Sequence, residues 1–122
     1  MAANKVIKIP SKYDEFFKSW LEILKPFHHF TEAEMTVAAK ILEKRDKMKH
    51  GIIDEDLLDK MVLSTDIKSE IRSEINMSSG NFQVVLGKLK KAKFIVDGRI
   101  NKRFVPDLNG PNYSLMFCFE VE

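Results

Sequence analysis

Apolar residues recur along most of this chain at steps of three and four, the spacing of a buried helix face, and they alternate only near its two ends. The first helical stretch begins after Ser11, a candidate N-cap, and ends at Pro26. Its apolar stripe is mostly aromatic: Tyr13, Phe16, Phe17, Trp20, Leu21 and Leu24. The pattern predicts a mainly α-helical protein with a small amount of β-structure.

Two helices are predicted in the middle of the chain. Residues 31–34 have the sequence of a capping box, in which a Thr hydroxyl and a Glu carboxylate each accept a hydrogen bond from a backbone amide, so a helix should run from there to about Met48. His50 and Gly51 interrupt the pattern, and a short helix is expected after Asp54. The inward side of this short helix is expected to consist of Leu57, Leu58, Met61 and Val62.

Two further helices follow with only about three residues between them. The first begins at Ser64 or Thr65 and ends at Asn76, one of the few residue types that enter the left-handed backbone region at modest cost. Ser78 can cap the second helix, which has a continuous apolar stripe. Both helices can therefore bury apolar side chains against one support, as a helix-turn-helix requires. The side chains expected to hold them together are Ile71, Ile75, Met77, Phe82 and Val85.

A hairpin is predicted directly after these helices. Residues 94–96 lead into Asp97 and Gly98, a pair that favours a tight turn, and residues 99–105 should return as the second strand. Residues 86–105 carry seven basic side chains against one acid, so this segment has a charge of +6 in a chain whose net charge is +2. Such asymmetry is typical of a face that binds a polyanion, although a solvated lysine-rich helix face explains it equally well.

The two ends of the chain are the other candidates for β-structure. Residues 6–9 and 113–121 are rich in β-branched and aromatic residues, and we expect these terminal strands to pair with each other. Residues 107–112 have turn composition. The single cysteine, Cys118, cannot form an internal disulfide and is expected to pack among its apolar neighbours.

The composition is that of an ordinary globular protein, with 44% hydrophobic and 31% charged residues. A chain of this length buries roughly two thirds of its unfolded surface, so one domain over residues 1–122 is predicted. No apolar run approaches the roughly 18 residues of a membrane helix, and the N-terminus has no signal-sequence pattern. We therefore expect no membrane association and a cytoplasmic location.

The apolar joint of the two helices, the asparagines near their turn and the run of lysines at 90–93 occur together in one segment. The residues in question are Ile71, Ile75, Asn76, Met77, Ser78, Asn81, Phe82, Val85, Leu86 and Leu89, followed by Lys90, Lys91, Ala92, Lys93, Phe94 and Ile95. This segment resembles the winged helix-turn-helix family. The resemblance implies a mainly α fold with small β (α+β) of about five helices, a β-wing and a terminal two-strand pairing. Residues 31–106 would then be the winged-helix core, between an N-terminal extension, 1–30, and a C-terminal strand, 107–122.

In DNA-binding members of that family the second helix lies in the major groove and the wing contacts the neighbouring backbone. The resemblance therefore implies binding of duplex DNA, without a cofactor, through the helix 79–92 and the wing 94–105. The candidates that face the groove are Ser79, Gly80, Gln83, Val84, Gly87 and Lys88. The candidates that contact phosphates are Lys90, Lys91, Arg99, Lys102 and Arg103.

Two departures from the family pattern argue against sequence-specific recognition. Val84 and Gly87 offer no hydrogen bonds to a base edge, and this helix has no arginine to read guanine. Arg72 stands where the family places a small residue, so either the two helices are splayed or its guanidinium extends along them. Phosphate contacts are therefore expected to supply most of the affinity, with weak or no sequence specificity.

Residues 63–95, together with the N-terminal strand and the aromatic helix, carry a second and weaker resemblance. It is to small conserved proteins of large tailed bacteriophages, which combine an N-terminal strand and an aromatic helix with a C-terminal helix-turn-helix. It implies either a phage-encoded regulator in the host cytoplasm or a structural component of a virion or other assembly. The aromatic helix and the terminal strands are the candidates for contact with a second copy, although core packing also explains the aromatic helix.

No constellation typical of an enzyme or a metal site is evident. His28 and His29 are adjacent, so their side chains diverge, and a packing or surface role is expected for both. The carboxylates of Asp54 and Asp56 are more simply explained as the start of a helix than as an acid-base pair. We therefore expect neither catalysis nor a bound metal.

Overall fold

The computed structural model describes residues 5–108, 110 and 112–121. Most of this part of the chain is helical, and an antiparallel pair of strands supplies the β-structure, which confirms a mainly α-helical α+β fold. The α-helices described there are α1 Tyr13–Ile23, α2 Lys25–His28, α3 Glu32–Met48, α4 Glu55–Val62, α5 Thr65–Glu74 and α6 Ser79–Lys91. They are followed by the strands β1 Ile95–Val96 and β2 Arg99–Ile100 and by a 3-10 turn, Lys102–Phe104.

Helix α3 lies at the centre of the molecule, where it packs against α1, α4, α5 and α6. Its N-terminus has the predicted capping box: Thr31 Oγ1 accepts from the Glu34 amide at 3.2 Å, and the Glu34 carboxylate accepts from the Thr31 amide at 3.3 Å. The predicted end at Met48 is also confirmed. The core side chains that α3 contributes are Met35, Val37, Ala38, Ala39, Ile41 and Leu42.

The aromatic helix begins and ends differently from the prediction. Lys12 rather than Ser11 occupies the N-cap position, and the Ser11 hydroxyl donates to the Lys12 carbonyl oxygen instead of capping the helix. Pro26 lies in the first turn of α2, where its missing amide costs no helical hydrogen bond, so the chain continues as a second short helix. This additional helix explains why the structure has more helices than the five expected. The buried members of the aromatic stripe are Phe17, Trp20 and Leu21.

Helices α5 and α6 are joined by the tight turn that the sequence predicts. Asn76 has a φ of 53°, in the left-handed region, and Ser78 Oγ accepts from the Asn81 amide at 3.2 Å. The predicted joint residues Ile71, Phe82 and Val85 are buried, whereas Ile75 and Met77 are partly buried. The main contacts of α5 are with α3 and α4, and those of α6 are with α3 and β1. Both helices therefore rest on α3 as a common support.

The hairpin after α6 has the predicted turn but a shorter second strand. Asp97 and Gly98 form the turn with φ values of 53° and 72°. The predicted strand over residues 99–105 is wrong beyond Ile100, because Asn101 Oδ1 accepts from the Arg103 amide at 3.2 Å and starts the 3-10 turn. That turn directs Phe104 into the core.

Burial of Phe104 explains why the second strand stops. Its ring lies 5.7 Å from that of Phe30 and 5.5 Å from that of Phe94, measured between ring centroids. Its carbonyl oxygen accepts from the Trp20 indole N–H at 2.8 Å in the interior. A β-strand continued along the hairpin edge would have neither the aromatic contacts nor this hydrogen bond.

The predicted pairing of the terminal strands is wrong. Neither residues 5–12 nor residues 112–121 form a strand in the part of the chain that the structure describes. The C-terminal segment lies instead along α1 and α2, with the Tyr113 and Phe117 rings against aromatic side chains of those helices. Strand propensity was present at both ends, but no ladder of backbone hydrogen bonds joins them.

The C-terminal segment also differs from the prediction at its cysteine. Cys118 is exposed rather than packed, and the neighbouring Phe119 side chain is 89% exposed. Of the predicted turn at 107–112, Asn109 and Pro111 lie outside the described residues.

Candidate nucleic-acid interface

The exposed face of α6 is determined by the side chains that the helix buries. Phe82, Val85, Leu86 and Leu89 form the buried stripe, and the positions between them lie in two adjacent rows on the opposite side. One row consists of Gln83, Gly87 and Lys90, and the other of Gly80, Val84, Lys88 and Lys91. All the groove-facing candidates of the sequence analysis are exposed on this helix: Ser79, Gly80, Gln83, Val84, Gly87 and Lys88.

The C-terminal turn of α6 is basic, and a residue in the left-handed conformation ends the helix. Three lysines lie in its last turn, where cations interact favourably with the helix dipole. Lys93 follows with a φ of 66°, and the Phe94 amide donates to the Leu89 carbonyl oxygen at 3.0 Å. This arrangement places the lysine cluster beside the hairpin.

The cations of this region differ in whether an acid neutralises them. Arg99 Nε lies 2.9 Å from the Asp56 carboxylate, and the Lys102 ammonium pairs with Glu55. Both acids belong to the first turn of α4. No salt bridge within the described residues involves the other five cations, which we call the open basic face: Lys88, Lys90, Lys91, Lys93 and Arg103.

The predicted phosphate contacts therefore fall into two groups. Lys90, Lys91 and Arg103 are exposed and unpaired among the described residues, whereas Arg99 and Lys102 already have partners. The hydrogen bond between Lys102 and Glu55 raises the pKa of the ammonium and lowers the pKa of the carboxyl. Both side chains are more than half exposed, so solvent screens the pair and a phosphate can compete for the lysine.

A buried carboxylate attaches the hairpin to the helices. Asp59 Oδ2 accepts from the Ile100 amide at 3.2 Å, and its Oδ1 accepts from Arg45 Nε at 2.7 Å. The two side chains are only 3% and 7% exposed. The sequence contains a signal for the burial of Arg45. This residue follows Ile41 and Leu42 by four and three residues and so lies on the buried face of α3.

Arg72 adopts one of the two arrangements that the sequence allowed. Its guanidinium extends towards the turn between α5 and α6, where Nη1 lies 3.5 Å from the Met77 carbonyl oxygen. The side chain is partly buried rather than exposed on the α6 face. Arg72 is therefore placed to support the turn and not to contact a ligand of α6.

His28 packs and His29 lies at the surface, the two kinds of role expected for this pair. The Phe30 amide donates to His28 Nδ1 at 2.8 Å, so Nε2 carries the proton and donates to the Leu21 carbonyl oxygen at 2.7 Å. Burial lowers the pKa of His28, while His29 is exposed. Among the described residues, no three His, Cys, Asp or Glu side chains are grouped as a metal site would need, and no helix has the length and hydrophobicity to span a bilayer.

Comparison with known proteins adds no family to these observations. No protein-family model, curated protein or solved structure matches the chain. The resemblances to winged helix-turn-helix proteins and to phage proteins therefore stay predictions, and the case for a function rests on the geometry of α6 and the hairpin.

Proposed function

We propose that this is a non-enzymatic winged-helix protein that binds duplex DNA, mostly through contacts with phosphates. In this proposal α6 lies along the major groove and the wing, residues 94–105, contacts the adjacent backbone. The observation that carries the proposal is the open basic face, five cations on or next to one exposed helix face that have no acidic partner in the described chain. Such a cluster of unpaired cations can neutralise the phosphates of a nucleic-acid backbone.

The order of the elements supports the same function. A central helix, α3, supports two helices joined by a tight turn, and a hairpin follows the second of them directly. This is the order in which winged helices present a recognition helix and a wing. The wing is fixed to the body through Asp59 and Phe104, so its position relative to α6 is well defined.

The exposed face of α6 favours weak sequence specificity. Gly87 lies inside the helix, where glycine is unfavourable, yet a Cβ added there would meet nothing within 4 Å. The fold itself therefore does not require this glycine, whereas a ligand backbone that approaches closely would. Val84 beside it offers an apolar contact only, which leaves Ser79, Gln83 and Lys88 as hydrogen-bonding groups for base edges.

Fluorescence anisotropy with a labelled duplex at increasing salt concentrations tests the proposal. We expect binding to weaken with salt at a log-log slope of about −0.9 for each phosphate contacted, and to differ little between unrelated duplex sequences. Charge reversal at three open positions should remove most of the affinity and reduce the magnitude of that slope by about 2 to 3. The substitutions are Lys88→Glu, Lys91→Glu and Arg103→Glu.

A control variant tests whether the affinity depends on the position of the basic residues or only on the net charge of the protein. Reversal of three exposed lysines elsewhere changes the net charge equally, and this variant should retain most of the affinity. The control substitutions are Lys12→Glu, Lys25→Glu and Lys60→Glu. The proposal would be abandoned if the native protein bound no duplex in a salt-sensitive way, or if the two triple variants lost affinity equally.

The second candidate function, a structural role in a larger assembly, rests on different residues. The segments at both ends of the chain leave large apolar side chains in solvent, including Ile7 at 86% and Val121 at 89% exposure. Monomeric proteins rarely expose continuous apolar surfaces of this kind, which favours contact with a further chain.

A further inference from the structure

Two segments outside the helices and strands are called the N-arm, residues 5–10, and the C-arm, residues 112–121. Among the described residues, no backbone hydrogen bond joins either arm to the rest of the protein. Both arms have the composition of β-strands. Their unpaired amides and carbonyls are therefore available to another strand.

The apolar face of the C-arm begins on its own protein and continues beyond it. Its alternate residues, which share one face of an extended chain, are all large and apolar. Tyr113 is partly buried, Leu115 and Phe117 are 43% and 49% exposed, and the last two, Phe119 and Val121, are each 89% exposed. The first half of this face is therefore partly covered by the body of the protein, and the second half is not.

Ring contacts define the direction of the C-arm. Tyr113 lies 5.4 Å from Trp20 of α1, between ring centroids, and Phe117 stacks on Phe27 of α2 at 5.9 Å. The C-arm thus runs along α1 towards α2, while the N-arm leaves from the opposite end of α1. That helix has 11 residues and is about 16 Å long, and it separates the point where the N-arm joins it from the contact of Phe117 with α2.

A cleft with a mixed lining lies near the N-terminal half of α1 and includes Asp46, the partner of Tyr13. It has a volume of about 780 Å³, and apolar side chains such as Ile52 and Val105 line it together with charged ones: Arg45, Asp46, Lys49, Glu55, Lys102 and Asp107. The polar groups around it already bind one another, because Asp46 accepts from the Tyr13 hydroxyl at 2.7 Å and lies 2.9 Å from Lys49 Nζ. At its rim, the Ile53 side chain is completely exposed. The cleft therefore offers apolar contacts between charged groups, several of which are already paired, as Lys102 is with Glu55.

We propose that the C-arm of one copy of this protein pairs as a β-strand with the N-arm of a second copy, and that its Phe119 and Val121 side chains enter the second copy's cleft. Strand addition supplies the missing backbone hydrogen bonds, and the cleft covers the uncovered half of the apolar face. The charges agree, since Lys5 and Lys8 of the N-arm and Glu120 of the C-arm have no ionic partner among the described residues. This inference does not require DNA binding, although the cleft shares Lys102 and Val105 with the proposed DNA-binding wing.

Sedimentation velocity over a range of protein concentrations tests the exchange of arms. The native protein should form a dimer or a larger assembly. A donor variant, Phe119→Asp with Val121→Asp, and an acceptor variant, Ile7→Asp with Ile9→Asp, should each be monomeric. A mixture of the two variants should form a heterodimer, because one intact C-arm then meets one intact N-arm.

Further variants keep the test specific. Ile53→Asp, at the rim of the cleft, should weaken the assembly, whereas Val84→Asp introduces the same charge at an exposed apolar position of α6 and should leave it intact. All these side chains are exposed, so each variant should keep the helical circular-dichroism signal and the cooperative thermal unfolding of a folded protein. A native protein that stays monomeric, a donor or acceptor variant that still assembles, or a mixture that forms no heterodimer would each overturn the proposal.

Discussion

A carboxylate enclosed between two helices and a strand needs a donor for each oxygen, and Asp59 has one in Arg45 and another in the Ile100 amide. Through these contacts a single side chain links α3, α4 and β2. Water cannot replace Asp59 as the partner of the Arg45 guanidinium, because the Arg45 side chain is only 7% exposed. The position of the wing therefore depends on a charge pair that solvent does not screen.

Asp59→Asn keeps the size of this side chain but removes its charge. We expect the free energy of unfolding to fall by about 3 to 5 kcal/mol, since the Arg45 guanidinium is then buried without a counter-charge. Urea denaturation followed by circular dichroism measures the loss. The matched control is Asp56→Asn, which breaks the exposed pair with Arg99 and should cost at most about 1 kcal/mol. Equal losses in the two variants would contradict the role assigned to Asp59.

At the scale of elements, the features predicted correctly are those that neighbouring residues determine. The capping box at Thr31, the left-handed Asn76 and the turn at Asp97 and Gly98 each follow from a few adjacent side chains and are all found. The exposed face of α6 also follows from periodicity alone. These local rules account for the bounds of α3 to α6, for the hairpin turn and for the placement of most candidate site residues. The buried side predicted for α4 is wrong at Leu57 and Met61, which are exposed, and right at Leu58 and Val62.

The features missed are those that depend on contacts distant in sequence. The return strand stops after Ile100 because Phe104 is buried beside Trp20. No pattern among the neighbouring residues predicts this burial. The strand propensity of the two chain ends led to the prediction that they pair with each other, but propensity does not specify which strand is the partner. The pairing of Lys102 with Glu55 is likewise a contact between elements, so counting charges along the chain overestimated the free charge of the wing.

The exposed glycine of α6 provides a prediction at this scale. Gly87→Ala should raise the free energy of unfolding by about 0.5 to 1 kcal/mol, because alanine favours a helix and its methyl group meets no neighbour. If α6 lies close to a DNA backbone, the same substitution should weaken duplex binding. Unfolding and anisotropy measurements on one variant therefore separate the two effects, and unchanged binding would show that α6 does not approach DNA closely at this position.

Gly98→Ala is the control for this prediction. Gly98 has a φ of 72°, a conformation that strains any side chain with a Cβ, so the substitution should destabilise the protein by about 1 to 2 kcal/mol. The two glycines thus predict changes of opposite sign from the same added methyl group.

At the scale of the whole molecule, the distribution of charge matters more than its sum. The net charge of +2 combines an open basic face with acids that already bind cations elsewhere. Glu55 and Asp56 neutralise two cations of the wing, and Glu74 binds Lys44 at 2.9 Å on the side of α5. In the proposed complex with DNA, these two acids of α4 would compete with phosphates for Arg99 and Lys102.

Removal of that competition gives the last prediction. Glu55→Gln combined with Asp56→Asn releases Lys102 and Arg99, so duplex binding should become tighter and its log-log salt slope steeper by about 1 to 2. Glu70→Gln with Glu74→Gln changes the net charge equally but releases Lys44, whose side chain is 13% exposed and lies outside the open basic face. Anisotropy titrations should show a clearly smaller gain for this second variant. Equal gains would mean that overall charge, and not the location of cations around α6 and the wing, controls the affinity for DNA.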